Sequence, residues 1–244
     1  SSGRADVAAH GAQLLKLAPQ LYHDLHASMN KTLNASSGGE RCWSSTAETV
    51  AGEETFRGFS ELLYSGALTA QQAADIYLAA SGGSSCGAKR FLTLGSPGVG
   101  GATIATPTSY GFAHALLQHD EVEKFLLHYF AISAHGYTRG TFTTPESSDL
   151  ADRDTAPAQY ASAGVVAAPI YLKWMLCFEE PQTRTLWLGK AVPRDWLVAG
   201  EAPIVAERMT TRYGRVSLSL AVASGDGYSV KANVTLPPSF ATKG

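Results

Sequence analysis

The chain has 244 residues, of which 45% are hydrophobic and 16% charged, and its formal net charge is −2. That apolar share builds a substantial core, and the near-neutral charge argues against a nucleic-acid-binding surface. No run approaches 18 consecutive apolar residues, so the sequence predicts no transmembrane helix.

The opening Ser1-Ser2-Gly3-Arg4 is neither a signal peptide nor a helix start. The expectation is a cleaved leader or a longer precursor. Leu14, Leu17, Leu21 and Leu25 mark one helical face and predict a helix over 6–29, bent at Pro19. Residues 30–50 are polar and Ser-rich and read as a surface loop. A short helix follows over 56–64, and Thr69 with Gln72 forms a capping box ahead of a helix over 73–80. Residues 81–108, rich in Gly, Ser, Pro and Thr, exceed a plain connector and are expected to shape a site. The glycines of 95–101 lack a following Lys-Ser/Thr, so they read as a loop and not a phosphate cradle.

Helices are predicted over 109–118 and 121–135, the second capped by Asp120 with Glu123. A polar loop over 136–157 leads to an apolar helix over 158–179, in which Cys177 reads as a buried free thiol. Beyond Pro181 the pattern changes to strands at 185–189 and 204–208. An alternating hairpin, 216–222 with 228–236, turns at Ser224-Gly225-Asp226-Gly227. Helices first and strands after predict an α+β chain in two regions, 1–182 helical and 183–244 an antiparallel β module.

The asparagines carry the strongest local signal. There are three, and each opens a glycosylation sequon: Asn30-Lys31-Thr32, Asn34-Ala35-Ser36 and Asn233-Val234-Thr235. Ser and Thr make up 43 of the 244 residues. Three chance matches therefore have a probability of roughly 0.005. The expectation is N-linked glycans and an extracellular or secretory-lumen location. Asn233 also falls on the polar face of its strand. Three cysteines fit that compartment, and a Cys42–Cys86 disulfide would close the segment between them. The absence of CxxC argues against a zinc ribbon or a thioredoxin-like centre. The histidines read as solvated, so neither a metal nor a cofactor is expected.

A resemblance extends this reading. The runs Arg57–Leu68, Tyr137–Phe142 with Pro145-Glu146, Leu186–Leu197 and Thr211–Ser217 are similar to the C-terminal portion of six-hairpin glycosidases. In that family a Leu-rich strand, a P-R-x-W turn and a T-x-Y/F-G strand entry mark the passage from toroid to β-sandwich. The resemblance covers about 55–240. It implies half of an (α/α)6 toroid followed by a small β-sandwich-like module. Half a toroid leaves apolar helix faces bare, so an upstream segment or partner chain is expected to complete it.

The resemblance also frames the chemistry. Glycoside hydrolysis needs two carboxyl groups flanking the scissile bond, on loops at one rim of the barrel. Glu146 and Asp149, after His135, Tyr137 and Arg139, form the candidate loop. An apolar wall beside a carboxyl favours the protonated form that a general acid needs. Glu53, Glu54 and Glu61 are candidates for the second carboxylate, and the alternative role of Glu61 is an ion pair with Arg57. Trp43, Tyr110, Tyr137 and Trp174 offer rings for sugar stacking, although Trp174 also suits a core position. Two functions follow: a polysaccharide-directed glycoside hydrolase, or a glycosidase-like scaffold that has lost catalysis and binds carbohydrate or serves structurally in a cell wall or surface appendage.

Overall fold

The computed structural model describes residues 5–32, 34–35, 41–42, 55–82, 103–138, 140–149, 155–156, 160–180, 183–223 and 229–238. The chain is α+β, and every strand pair among the described residues is antiparallel. It divides into two compact units, Ser1–Phe91 and Leu92–Gly244. The expected change of character near 182 lies inside the second unit.

The first unit holds α1 (Ala5–Thr32), the short pair β1 (Asn34–Ala35) and β2 (Arg41–Cys42), α2 (Thr55–Ser65) and α3 (Ala70–Gly82). Asp6 in the first turn and Lys31 in the last suit the α1 dipole, and the helix continues through Pro19. Gly66, at φ 71°, ends α2 in the left-handed conformation that glycine adopts without steric cost. The Thr69–Gln72 box then starts α3: the Thr69 amide donates to Gln72 Oε1 at 3.0 Å and the Gln72 amide to Thr69 Oγ1 at 3.2 Å. Met29, Leu63, Leu68, Ala73 and Ile76 are buried. His26 Nε2 lies 3.0 Å from the Ala67 carbonyl and ties α1 to the α2–α3 turn. The leucine face of α1 is largely bare: Leu14, Leu17 and Leu21 are 51%, 45% and 62% exposed.

In the second unit, β3 (Thr103–Ile104) and a 3-10 turn (Thr106–Thr108) precede α4 (Tyr110–Gln118) and α5 (Val122–His135). Asp120 does not cap α5. Its backbone takes φ 60°, and its carboxylate accepts from Lys190 Nζ at 2.7 Å. Short aspartate tolerates that left-handed turn. The loop predicted over 136–157 contains β4 (Ser147–Asp149) and β5 (Thr155–Ala156). The helix predicted over 158–179 is two helices, α6 (Ser162–Val165) and α7 (Ala167–Leu176), running directly into β6 (Cys177–Glu180). Cys177 is buried and free, as expected, but opens a strand.

α4 is buried on nearly every side, from Gly111 to Leu117. Its neighbours α5 and α7 supply Phe125, Ile132, Tyr171, Trp174 and Met175 to the same core. His114 and His128 lie inside this core, at 3% and 0% exposure, and not in solvent. The imidazoles act as flat aromatic fillers. His114 sits 5.4 Å from the Trp174 ring and 4.9 Å from Phe178, and His128 is 5.5 Å from Tyr171.

β6 pairs with β7 (Thr185–Leu188), and a 3-10 turn (Arg194–Trp196) leads to the sheet of β8 (Ile204–Thr211), β9 (Gly214–Val222) and β10 (Val230–Thr235), in the order β10-β9-β8. Leu176, Leu218 and Leu220 are buried together, with Leu188, Val192, Leu197, Ile204, Ala206 and Met209 packed against them. That cover reaches β8 and β9 but not β10. Val230, Val234 and Leu236 therefore stay 47%, 39% and 46% exposed, although the alternation places the strand valines on the core-facing side. Trp187 and Trp196 also stay partly exposed.

One carboxylate joins the helices to this sheet. Glu179 Oε1 accepts from Lys173 Nζ of α7 at 2.9 Å, and its Oε2 accepts from the Arg212 amide in the β8–β9 turn at 2.9 Å. Glu180, one residue on, accepts from the indole N–H of exposed Trp187 at 2.8 Å. Glu179→Ala is expected to cost about 3 kcal/mol in chemical denaturation, because two charge-assisted bonds are lost where the side chain is mostly buried. Glu180→Ala is expected to cost about 1 kcal/mol or less. Equal losses would remove Glu179 from this joining role.

Candidate functional site

The segment after α5 is a loop that ties itself. The Thr138 amide donates to the Thr143 carbonyl at 2.8 Å, and the Phe142 amide donates to the Thr138 carbonyl at 3.1 Å. The hydroxyls of Thr138, Thr141 and Thr143 bond one another, at 2.6 Å for Thr138–Thr141 and Thr138–Thr143. Threonine suits this work because its hydroxyl is short and its χ1 is stiff. Gly140 turns the chain at φ 86°, and Phe142 follows at φ 53°, a backbone conformation rare for an aromatic residue. The Phe142 ring is left 73% exposed.

Both stems of the loop are anchored. Gly136 lies so close to Thr106 that an added Cβ would meet its hydroxyl at 2.6 Å. Thr144 is buried, its hydroxyl donates to the Ala161 carbonyl at 2.9 Å, and its carbonyl accepts from the Ala161 amide at 2.7 Å. Gly164 packs on Thr144 with no room for a side chain. The residue before Ala161 is Tyr160, whose ring is 76% exposed. Exposed Phe142, buried Thr144 and half-buried Glu146 thus follow one another at alternate positions, with Tyr160 next to the segment that pins Thr144.

The sequence candidates distribute unevenly over this geometry. His135 ends α5, half-buried, and Glu146 sits half-buried before β4. Tyr137 has a structural part. Its hydroxyl lies 3.1 Å from the Gly164 carbonyl and 2.9 Å from the Val165 carbonyl, and it accepts from the Ala168 amide at 3.1 Å. Burial pushes this phenol above its ordinary pKa. Tyr110 opens α4, half-buried. It and Tyr137 both add to the rise that burial imposes on the Tyr171 phenol, which is bonded to Ser109. Asp149 lies on β4 opposite Thr103, with its side chain outside the described residues. Glu61 is exposed on α2 in the first unit, and its expected partner Arg57 has no described side chain. Trp43, Glu53, Glu54, Arg139 and Cys86 lie outside the described residues, as does the side chain of Cys42, so the Cys42–Cys86 disulfide falls there too. Among the sequons, Asn30 is exposed in the last turn of α1, Asn34 begins β1, and Asn233 is exposed on β10.

Phe142 and Tyr160 are exposed aromatic residues outside the sequence candidates. Their signal was available: an aromatic between Gly140 and a threonine run has little apolar company to bury it. Among the described residues, no group of three His, Cys, Asp or Glu side chains is placed to hold a metal, and no helix is long and apolar enough to cross a membrane. Comparison with protein-family models, with curated proteins and with solved structures finds no match to this chain.

Burial dominates the titration of the helical core of the second unit. It lowers the His114 pKa from 6.5 to about 4, with a hydrogen bond to the Glu179 backbone opposing it. His119 is lowered by burial as well. Native His114 therefore stays neutral while the unfolded chain takes up a proton. Stability is fully present above pH 6.5 and is lost as pH falls toward about 4. For His114 alone that loss is about 3 kcal/mol. Denaturation across this window is expected to show the loss, and His114→Gln is expected to flatten it. An unchanged slope in the variant would assign the acid sensitivity elsewhere.

Proposed function

We propose that this chain is part of a secreted glycoside hydrolase-like glycoprotein that acts on or binds polysaccharide through the loop 137–146. One observation carries the reading: the threonine-tied loop holds the Phe142 ring in solvent, in a costly backbone conformation, four residues before half-buried Glu146. Strained residues of this kind concentrate at binding and catalytic sites. An exposed aromatic ring offers the apolar face on which sugar C–H groups stack. Glu146 is the candidate general acid. Its partner carboxylate is sought in Asp149, or on helices from elsewhere in the assembly.

The proposed kinship with six-hairpin glycosidases draws support from the local structure of the quoted motifs. Gly189 takes φ 68°, and its amide donates to the Leu176 carbonyl at 2.8 Å, so the Leu-Gly-Lys-Ala run closes the end of α7. In the Thr211–Gly214 turn, the Thr211 hydroxyl donates to the Gly214 carbonyl at 2.6 Å and accepts from the Tyr213 amide at 3.1 Å. Gly214 takes φ 121°, and a Cβ there would meet Pro237 at 2.7 Å. Both motifs thus have local physical reasons for their residues at a passage from helices to sheet, the place they hold in the family. The bare leucines of α1 support the further proposal that additional helices, from a longer polypeptide or a partner, complete a toroid.

The binding-only alternative is favoured by Tyr137, whose hydroxyl is engaged by backbone and not turned to a ligand. A panel of polysaccharides separates the two. In the hydrolytic reading, Glu146→Gln lowers turnover by at least a hundredfold with little change in binding. In both readings Phe142→Ala weakens binding by roughly tenfold, the worth of one stacked ring. Unchanged binding by Phe142→Ala would overturn the site. Binding without turnover by the native assembly would leave the carbohydrate-binding scaffold.

A further inference from the structure

The β8–β9–β10 sheet gives one face to the core, and among the described residues its other face is uncovered. Cross-strand pairing places Asn233 opposite Ser219, and Ser219 opposite Val205, in a single row across three strands. Thr235 and Ser217 form the next row. Strand alternation turns both rows away from the core-facing Leu218 and Leu220. A bulge between Ala206 and Met209 shapes this open face: Arg208 takes φ 54°, and its amide donates to the Ser217 hydroxyl at 2.9 Å. The result is a trough of about 510 Å³, lined in part by Val205, Arg208, Ser217, Ser219, Asn233 and Thr235. That volume falls in the range of roughly 300–1,000 Å³ that holds small organic ligands.

The trough contains its own point of attachment. Asn233 is exposed on its wall, and the sequon threonine lines it as well. We propose that the N-linked glycan of Asn233 folds back into this trough and is held there as a structural part of the sheet. Its first N-acetylglucosamine lies over the directly opposed Ser219. The second reaches Val205, two strand spacings or about 10 Å away. The serine hydroxyls and the Arg208 guanidinium supply hydrogen bonds to sugar oxygens and acetamide groups. Val205, 56% exposed in an otherwise polar row, supplies apolar contact for an acetamide methyl or a ring C–H face. The inference rests on the secretory reading proposed above.

The test uses the full chain secreted from a glycosylating eukaryotic host. Site-resolved mass spectrometry first reads Asn30, Asn34 and Asn233. Hydrogen exchange is then compared in the native glycoprotein, after trimming to one N-acetylglucosamine, and after complete enzymatic removal of the glycan from the folded protein. The Thr235→Ala variant, which never acquires the glycan, is a further arm. Amides of β8 and β9 around Val205 and Ser219 are expected to exchange at least threefold faster once the glycan is removed. Trimming to one sugar should release Val205 before Ser219. Identical exchange with and without glycan would overturn the proposal, as would an unmodified Asn233 beside a glycosylated Asn30 or Asn34. Absence of glycan at all three asparagines would overturn the secretory reading with it.

Discussion

The second unit is organised by the way α7 ends. A helix leaves its last carbonyls without intrahelical donors, and burying them unanswered costs free energy. Here the strand begins at the next residue, so no loop intervenes to bring water to them. The Met175 carbonyl accepts from the Ala191 amide at 3.3 Å, and the Leu176 carbonyl from Gly189 at 2.8 Å. The β6–β7 hairpin must therefore return to the helix end, and this fixes where Leu176 and Leu188 meet Leu218 and Leu220. Lys190 follows from the same return: it reaches Asp120 while its charge lies 4.6 Å from the Trp187 ring centre and 5.4 Å from that of Phe178. Remove the capping turn and both the sheet's cover and the α4–α5 link lose their origin.

The helices with a clear start signal were legible in the sequence. The Thr69–Gln72 box and the apolar period of residues 122–135 needed nothing beyond neighbours three or four positions away. The break at Leu176–Cys177 was not legible, because Trp174–Phe178 is apolar throughout and buried helix and buried strand share that pattern. Asp120 misled for a different reason. Its spacing to Glu123 fits a cap, but a lysine 70 positions later takes its carboxylate, and a tertiary partner of that kind leaves no local trace. The β10 valines alternate as expected yet remain exposed, since alternation assigns a face and cannot say how far its cover extends. The buried histidines belong with these cases. Polar residues on helices read as solvated until every face of α4 is found to be packed.

Within the candidate loop, residue type alone separates the aromatic side chains poorly. Tyr137 drew attention as a sugar-binding ring, yet its hydroxyl closes the backbone at the α6–α7 junction. Phe142 drew none, yet it carries the exposed ring. The difference lies in hydroxyl geometry: a phenol can satisfy several backbone groups at a helix junction, whereas phenylalanine has nothing to offer there and is left at the tip. The threonines decide which way the tip points. Their mutual hydrogen bonds replace the hydrophobic contacts that would otherwise hold a loop, so the apolar ring is not needed for packing.

The loop is positioned by the buried aromatic core of the second unit. Tyr137 joins it to Gly164, Val165 and Ala168. α7 continues from Ala168 to Tyr171, whose ring lies 6.1 Å from Phe125 and 5.5 Å from both His128 and Trp174. Burial among these aromatics favours the neutral imidazole of His114 in that core. Acidification toward about pH 4 therefore weakens the core on which α7 is built. Loss of ligand binding on acidification toward about pH 4 is accordingly expected to go with loosening of the α4–α5–α7 core.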